Sequence, residues 1–203
     1  MENHSESGIV GSLFAPYINS LIGGTHTAQF TESYGLTHPS QPNYLMIFSG
    51  TNQGVTDDNV PGTWPFTTDN LGAEILGGGF TFGGYSEDLP AVGSNVATSG
   101  DYARKHNPWV NWQDAPTNGI PASLNMPYTS FPPDYNTLPT VSFVIPNLIH
   151  DMHDPIILPT AISNGDTWLQ DNLDAYIQWA KTHNSLFILT FDEDDQLNSN
   201  HIL

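Results

Sequence analysis

The chain has 203 residues, with Lys+Arg 3 against Asp+Glu 21 and a formal net charge of -18. No basic stripe exists to neutralise phosphates, which excludes nucleic acid as a partner, and an anionic membrane would repel this surface. The absence of cysteine removes thiolate zinc sites, disulfides and cysteine nucleophiles, and no apolar run reaches the roughly 18 residues of a bilayer span.

The length suits one domain with a real core. Charged residues are only 12% and aromatic residues 11%, which argues for an ordered chain. Residues 1–7 (MENHSES) are polar, and no signal peptide is visible. Residues 13–22 predict a short helix, with Pro16 early and Gly23-Gly24 as its stop. Residues 37–43 (THPSQPN) read as a turn, and 44–48 as the body of a helix closed by Ser49-Gly50. A loop follows over 51–65. Residues 69–76 predict a helix with Thr67 or Thr68 as N-cap, and 80–85 a strand. Prolines punctuate 86–139, where little regular structure is expected; a loop region this long usually serves or covers a site. Residues 141–145 (VSFVI) predict a second strand. Residues 166–182 predict the longest helix, capped by Asn164 or Asp166, with Leu169, Leu173, Tyr176, Ile177 and Ala180 on one apolar face. The apolar run 187–191 then reads as a buried strand in a parallel βαβ unit with 141–145.

That last strand runs into Asp192-Glu193-Asp194-Asp195. Ligands of open α/β sheets bind at the carboxyl ends of strands, and four carboxylates there call for a cation, first of all a divalent metal. Glu2 and Asn3 offer hard oxygen ligands, or are simply a solvated terminus; Asn3-His4-Ser5 also fits a glycosylation sequon. Ser40 lies just before a helical segment, where it is either an ordinary cap or a nucleophile favoured by the helix dipole. His150-Asp151-Met152-His153-Asp154 provides a general acid, a metal ligand or a backbone-bonded loop histidine. His201 lies close enough in sequence to reach the same edge. Arg104, Lys105 and His106 concentrate cations in an acidic chain, as an anionic substrate requires and as a solvated loop also permits. Asp57-Asp58-Asn59 and 192–195 lack the glycine and terminal glutamate of an EF-hand, which is rejected.

Taken in order, MENHS, THPSQPNY, SGTNQGVTDDN, YSEDLP, YARKHNPW, PNLIHDMHD, GDTWL and TFDEDD followed by NHI span nearly the whole chain. Together they resemble the phosphoesterase family of acid phosphatases and phospholipases C, within the alkaline-phosphatase-like superfamily. The resemblance implies an α/β three-layer sandwich with a mostly parallel sheet, in one phosphoesterase domain over 1–203. Relatives carry an apolar strand before MENHS and continue after NHI, which implies truncation at both ends.

The resemblance further implies metal-dependent hydrolysis of phosphate monoesters through a phosphoserine at Ser40. Glu2, Asn3, Asp192, Glu193 and the Ser40 oxygen look like ligands of a divalent cation, with Ca, Mg or Mn favoured by oxygen donors. His106, His153 and His201 look like catalytic histidines, and Arg104 and Lys105 like substrate-binding cations. A phospholipase C-type diesterase and an inactive cation-binding fragment are the alternatives. The implied partner is a small phosphate ester or a phospholipid head group, and the implied location is secreted or periplasmic. Oligomeric state is not implied.

Overall fold

The computed structural model describes residues 1–155 and 158–203. In chain order its elements are α1 (Glu6–Ile9), α2 (Pro16–Ile22), β1 (Ser33–Tyr34), α3 (Ser40–Ser49), α4 (Leu71–Gly77), β2 (Phe82–Ser86), β3 (Thr98–Ser99), β4 (Tyr102–Ala103), β5 (Asn125–Pro127), β6 (Val141–Ile145), α5 (Leu158–Ala180) and β7 (His201–Ile202). Short 3-10 turns fill much of 104–137. The chain resolves into two compact units: Met1–Thr37 with Leu148–Leu203, and His38–Asn147.

The unit His38–Asn147 is built on a parallel sheet of order β5-β2-β6, which makes the chain mixed α/β. Both strand predictions hold, with β6 matching its predicted bounds. The central strand β2 is buried along its whole length, as expected of a parallel strand covered on both faces. Phe82, Trp109, Val110, Trp112 and Ile145 pack with Tyr44, Leu45 and Phe48 of α3 into one core. Gly84 is needed for this packing. A Cβ there would lie 2.2 Å from the Trp109 ring, whose Nε1 donates to Asn125 Oδ1 at 2.9 Å. Gly84→Ala is therefore expected to cost about 1–3 kcal/mol through overpacking, or more if the indole bond breaks. Urea unfolding measures it, and an unchanged midpoint would contradict this packing.

The helices of this unit start differently from the sequence reading, for identifiable reasons. α3 begins at Ser40 rather than near Tyr44, because Pro42 falls in the first turn, where a missing N–H leaves no bond unmade. Gly50 closes it at φ 73. α4 is capped by Asn70, whose side chain accepts from Ala73 N, not by Thr67 or Thr68.

In the other unit, α5 starts at Leu158, so Asn164 and Asp166 lie inside the helix and cap nothing of its own. Asp166 instead accepts from Tyr17 N at 3.0 Å and Ile18 N at 2.8 Å. It thereby caps α2, whose own N-cap position is an alanine without an acceptor. The predicted face of α5 is confirmed for Leu169, Leu173, Ile177 and Ala180, all buried. β1 and β7 pair antiparallel, Tyr34 opposite His201.

The run 187–191 departs most from expectation. β6 pairs with β2, and 187–191 carries no strand assignment. Its residues alternate, with Ile188 73% exposed and Phe187 and Leu189 half-buried, as does Leu186 before them at 73%. The period-2 pattern shows an extended segment covered on one face only. Among the described residues, no helix is long and apolar enough to cross a membrane.

Two buried tyrosines make the fold sensitive to alkali. Tyr102 is almost fully buried with its hydroxyl unpartnered, and burial pushes its pKa well above the ordinary phenol value. Burial does the same to Tyr17, whose hydroxyl also donates to Asp174 Oδ1 at 3.0 Å. Both are protonated in the folded chain when the unfolded chain begins to ionise near pH 10. Their contribution is thus complete below about pH 10 and lost as pH rises further. Melting temperature should hold to about pH 9.5 and fall by pH 11, less steeply in Tyr102→Phe. An identical slope in that variant would clear Tyr102 of the effect.

Candidate functional site

In the unit Met1–Thr37 with Leu148–Leu203, the first residues are tied to two later segments. Asp192 N donates to Met1 O at 3.1 Å, Glu2 N to Asp151 O at 2.8 Å, and Asn3 N to Asp192 Oδ1 at 3.3 Å. The polar N-terminus is therefore not a solvated tail. Glu2, Asp192 and Glu193 are 0%, 3% and 4% exposed. Asn3 turns the chain with a left-handed φ of 55. His4 is buried beside it, and that burial lowers its pKa below the ordinary value.

The next acid along has a different task. Asp194 accepts from Gln196 N at 2.7 Å, Asn198 N at 2.9 Å and Asn200 N at 2.8 Å. It organises the turn that returns the chain to β7. Asp151, fully buried, accepts from His153 N through Oδ1 at 2.8 Å. His153 Nδ1 lies 3.1 Å from Asp154 Oδ1 and donates to that carboxylate. His201 places Nε2 3.0 Å from Thr31 O and stacks on Tyr34. Its ring is thus engaged beside the β1–β7 strand pair.

In the unit His38–Asn147, Ser40 is the first residue of α3 and is 2% exposed. The helix start has no side-chain cap of its own. Asp58 supplies one, accepting from Gln41 N at 3.0 Å through Oδ1 and from Lys105 Nζ at 2.9 Å through Oδ2. Gln41 Nε2 in turn donates to Asp57 O at 2.9 Å and Asn59 O at 2.7 Å. The acid pair that mimics an EF-hand start is thus the clamp on the Ser40 helix, near the positive end of its dipole.

His106 is buried in the 3-10 turn Arg104–His106 and stacks on Tyr44, 5.2 Å between centroids. Tyr44 lies four residues after Ser40, on the same helix face. Asn107 fixes the turn, accepting from Ser86 Oγ at 2.5 Å and donating to Ala103 O at 2.7 Å. Arg104 is buried against the Trp64 ring at 5.2 Å and donates to Asn111 Oδ1 at 3.1 Å and Asn95 O at 3.4 Å. Of the positioning residues here, Asp58, Asn107, Asp151 and Asp166 were not legible as such. Each acts on a partner chosen by the fold rather than by sequence spacing.

The chemistry of the donors fits a hard divalent cation. Glu2, Asn3, Asp192 and Glu193 offer oxygens, the preferred ligands of Ca, Mg or Mn. The chain has only 3 Lys+Arg to balance its acids. Among the described residues, Arg104 donates to Asn111 Oδ1, Lys181 to Gln178 Oε1 and Lys105 to Asp58 Oδ2.

This is a mixed α/β chain with a buried helix-start serine in one unit and buried acids in the other. It belongs to the Phosphoesterase family, whose sequence profile matches residues 24–197. It is 48% identical over 206 residues to a phosphatidylinositol-3-phosphatase of Mycobacterium tuberculosis, covering 99% of this chain and 64% of that protein. An acid phosphatase of Aspergillus fumigatus is 33% identical over 177 residues, 81% of this chain and 38% of that protein. A phosphate-repressible acid phosphatase of Penicillium chrysogenum is 28% identical over 176 residues, 81% and 40% respectively. The chain thus spans less than two thirds of each of these relatives. No solved structure shows a significant match.

Proposed function

We propose that this chain hydrolyses phosphate monoesters through Ser40, with a divalent cation held by Glu2, Asn3, Asp192 and Glu193. The observation that carries the reading is the burial of Glu2, Asp192 and Glu193 in a chain with only 3 Lys+Arg. The phosphatase names of the relatives support a monoester substrate over a diester. When bound, a cation of this kind lowers the pKa of a coordinated hydroxyl and offsets phosphate charge.

In the proposed reaction Ser40, its hydroxyl proton already released to solvent, attacks phosphorus as the alkoxide from the helix start fixed by Asp58. The bond to the leaving oxygen breaks, and His153 Nε2 gives that oxygen its proton. His106 stabilises the phosphoryl oxygens, with the charges of Arg104 and Lys105 behind it. His153 then takes a proton from water, which attacks the phosphoserine, releasing inorganic phosphate and restoring Ser40. His201 is the remaining proposed catalytic histidine, its ring placed beside Thr31 O and Tyr34.

The test compares p-nitrophenyl phosphate, p-nitrophenylphosphorylcholine and phosphatidylinositol 3-phosphate, with Mg, Mn or Ca and with chelator. Monoesters should be hydrolysed faster than the diester, and chelator should abolish the reaction. Preference for the diester would establish a phospholipase C-type enzyme instead. Metal binding without turnover of any substrate would leave an inert cation-binding protein.

A further inference from the structure

We infer that His4 is a positioning residue that clamps the backbone turn presenting Glu2 and Asn3, an inference that rests on the metal-holding role of those two residues. His4 is 4% exposed, and its Nδ1 lies 2.8 Å from Glu2 O. A carbonyl can only accept, so Nδ1 carries the proton and the tautomer is fixed. Nε2 is then a bare acceptor, buried without a hydrogen-bond partner.

That arrangement is poor for stability. Leaving a buried polar atom unsatisfied costs on the order of 1–3 kcal/mol, and an apolar ring of the same size would avoid it. Among the described residues, the side-chain hydrogen bond that His4 makes runs back over Asn3 to the Glu2 carbonyl. Asn3 has φ 55, in the left-handed region, which asparagine adopts more readily than other non-glycine residues but which still benefits from being held. The Nδ1–H bond holds it from one side. On the other, Asn3 N donates to Asp192 Oδ1 at 3.3 Å, and Glu2 N donates to Asp151 O at 2.8 Å.

Glu2 and Asn3 are adjacent, so an extended backbone would send their side chains to opposite sides. The left-handed turn at Asn3 lets neighbouring residues serve one cation. His4 thus acts on the metal ligands without touching the metal, in the manner of outer hydrogen bonds that orient ligands.

Two variants separate this role from simple packing. His4→Phe keeps an aromatic ring, larger than the imidazole, and loses the donor. His4→Asn loses volume but keeps an N–H donor close to the position of Nδ1. Metal-free melting temperature and Mn2+ affinity by calorimetry are measured for both and for the parent. His4→Phe should bind Mn2+ at least about 10-fold more weakly than the parent, a loss that its change in melting temperature does not account for. His4→Asn should melt lower yet hold Mn2+ within about 3-fold of the parent, well short of the loss typical of a lost outer hydrogen bond. The inference is overturned if His4→Phe binds Mn2+ like the parent, or if affinity merely follows melting temperature in both variants. A folded parent that binds neither Mn2+, Mg2+ nor Ca2+ overturns the metal reading itself, and the inference with it.

Discussion

Ser40→Ala should reduce p-nitrophenyl phosphate hydrolysis by on the order of 10⁴-fold or more while leaving the chain folded and able to bind metal. The size follows from what is removed: without a nucleophile the two-step path closes, and residual rate comes only from binding and electrostatics. The fold should survive because alanine is a good helix former and the substitution deletes one oxygen from the first turn of α3. The clamp on that turn comes from Asp58 through Gln41, not from Ser40. Acid-quenched parent protein should carry a phosphate adduct on the peptide containing Ser40, and the variant should carry none. Retention of a tenth or more of the parental rate, with the adduct absent from both proteins, would remove Ser40 from the mechanism.

The contrast between Ser40 and its clamp shows what the sequence made legible. Composition and local pattern located β2, β6, the apolar face of α5 and the glycine stops of α2 and α3, because each rests on neighbours a few residues away. Polar side chains whose partners lie far along the chain were misread. Asp166 does cap a helix, but it is α2 rather than its own. Asp58 was rejected as an EF-hand residue without a role being given to it; it secures α3 and Lys105. Arg104 stood out as a cation in an acidic chain, but nothing local foretold that Trp64 and Asn111 would cover it. The run 187–191 was predicted as a buried strand and carries no strand assignment, because apolar composition could not tell burial on both faces from burial on one.

Asp192→Asn should separate the two opposite roles of the acid cluster. Asparagine is nearly isosteric and keeps an oxygen to accept from Asn3 N, so the bond of 3.3 Å at that position can persist. What changes is one negative charge among buried carboxylates. Without metal that charge is unfavourable, because Glu2 and Glu193 are buried in the same unit of a chain with few cations. The metal-free variant should therefore melt at or above the metal-free parent. With metal the order reverses. A parent saturated at 100 times its dissociation constant gains about 2.7 kcal/mol, whereas a variant short of one charged ligand gains little. Melting curves of both proteins with chelator and across a Mn2+ titration read both signs at once, and low salt keeps the charge effects large. A parent whose melting temperature ignores Mn2+, together with a variant that melts lower without it, would show that Asp192 serves the fold and not a cation.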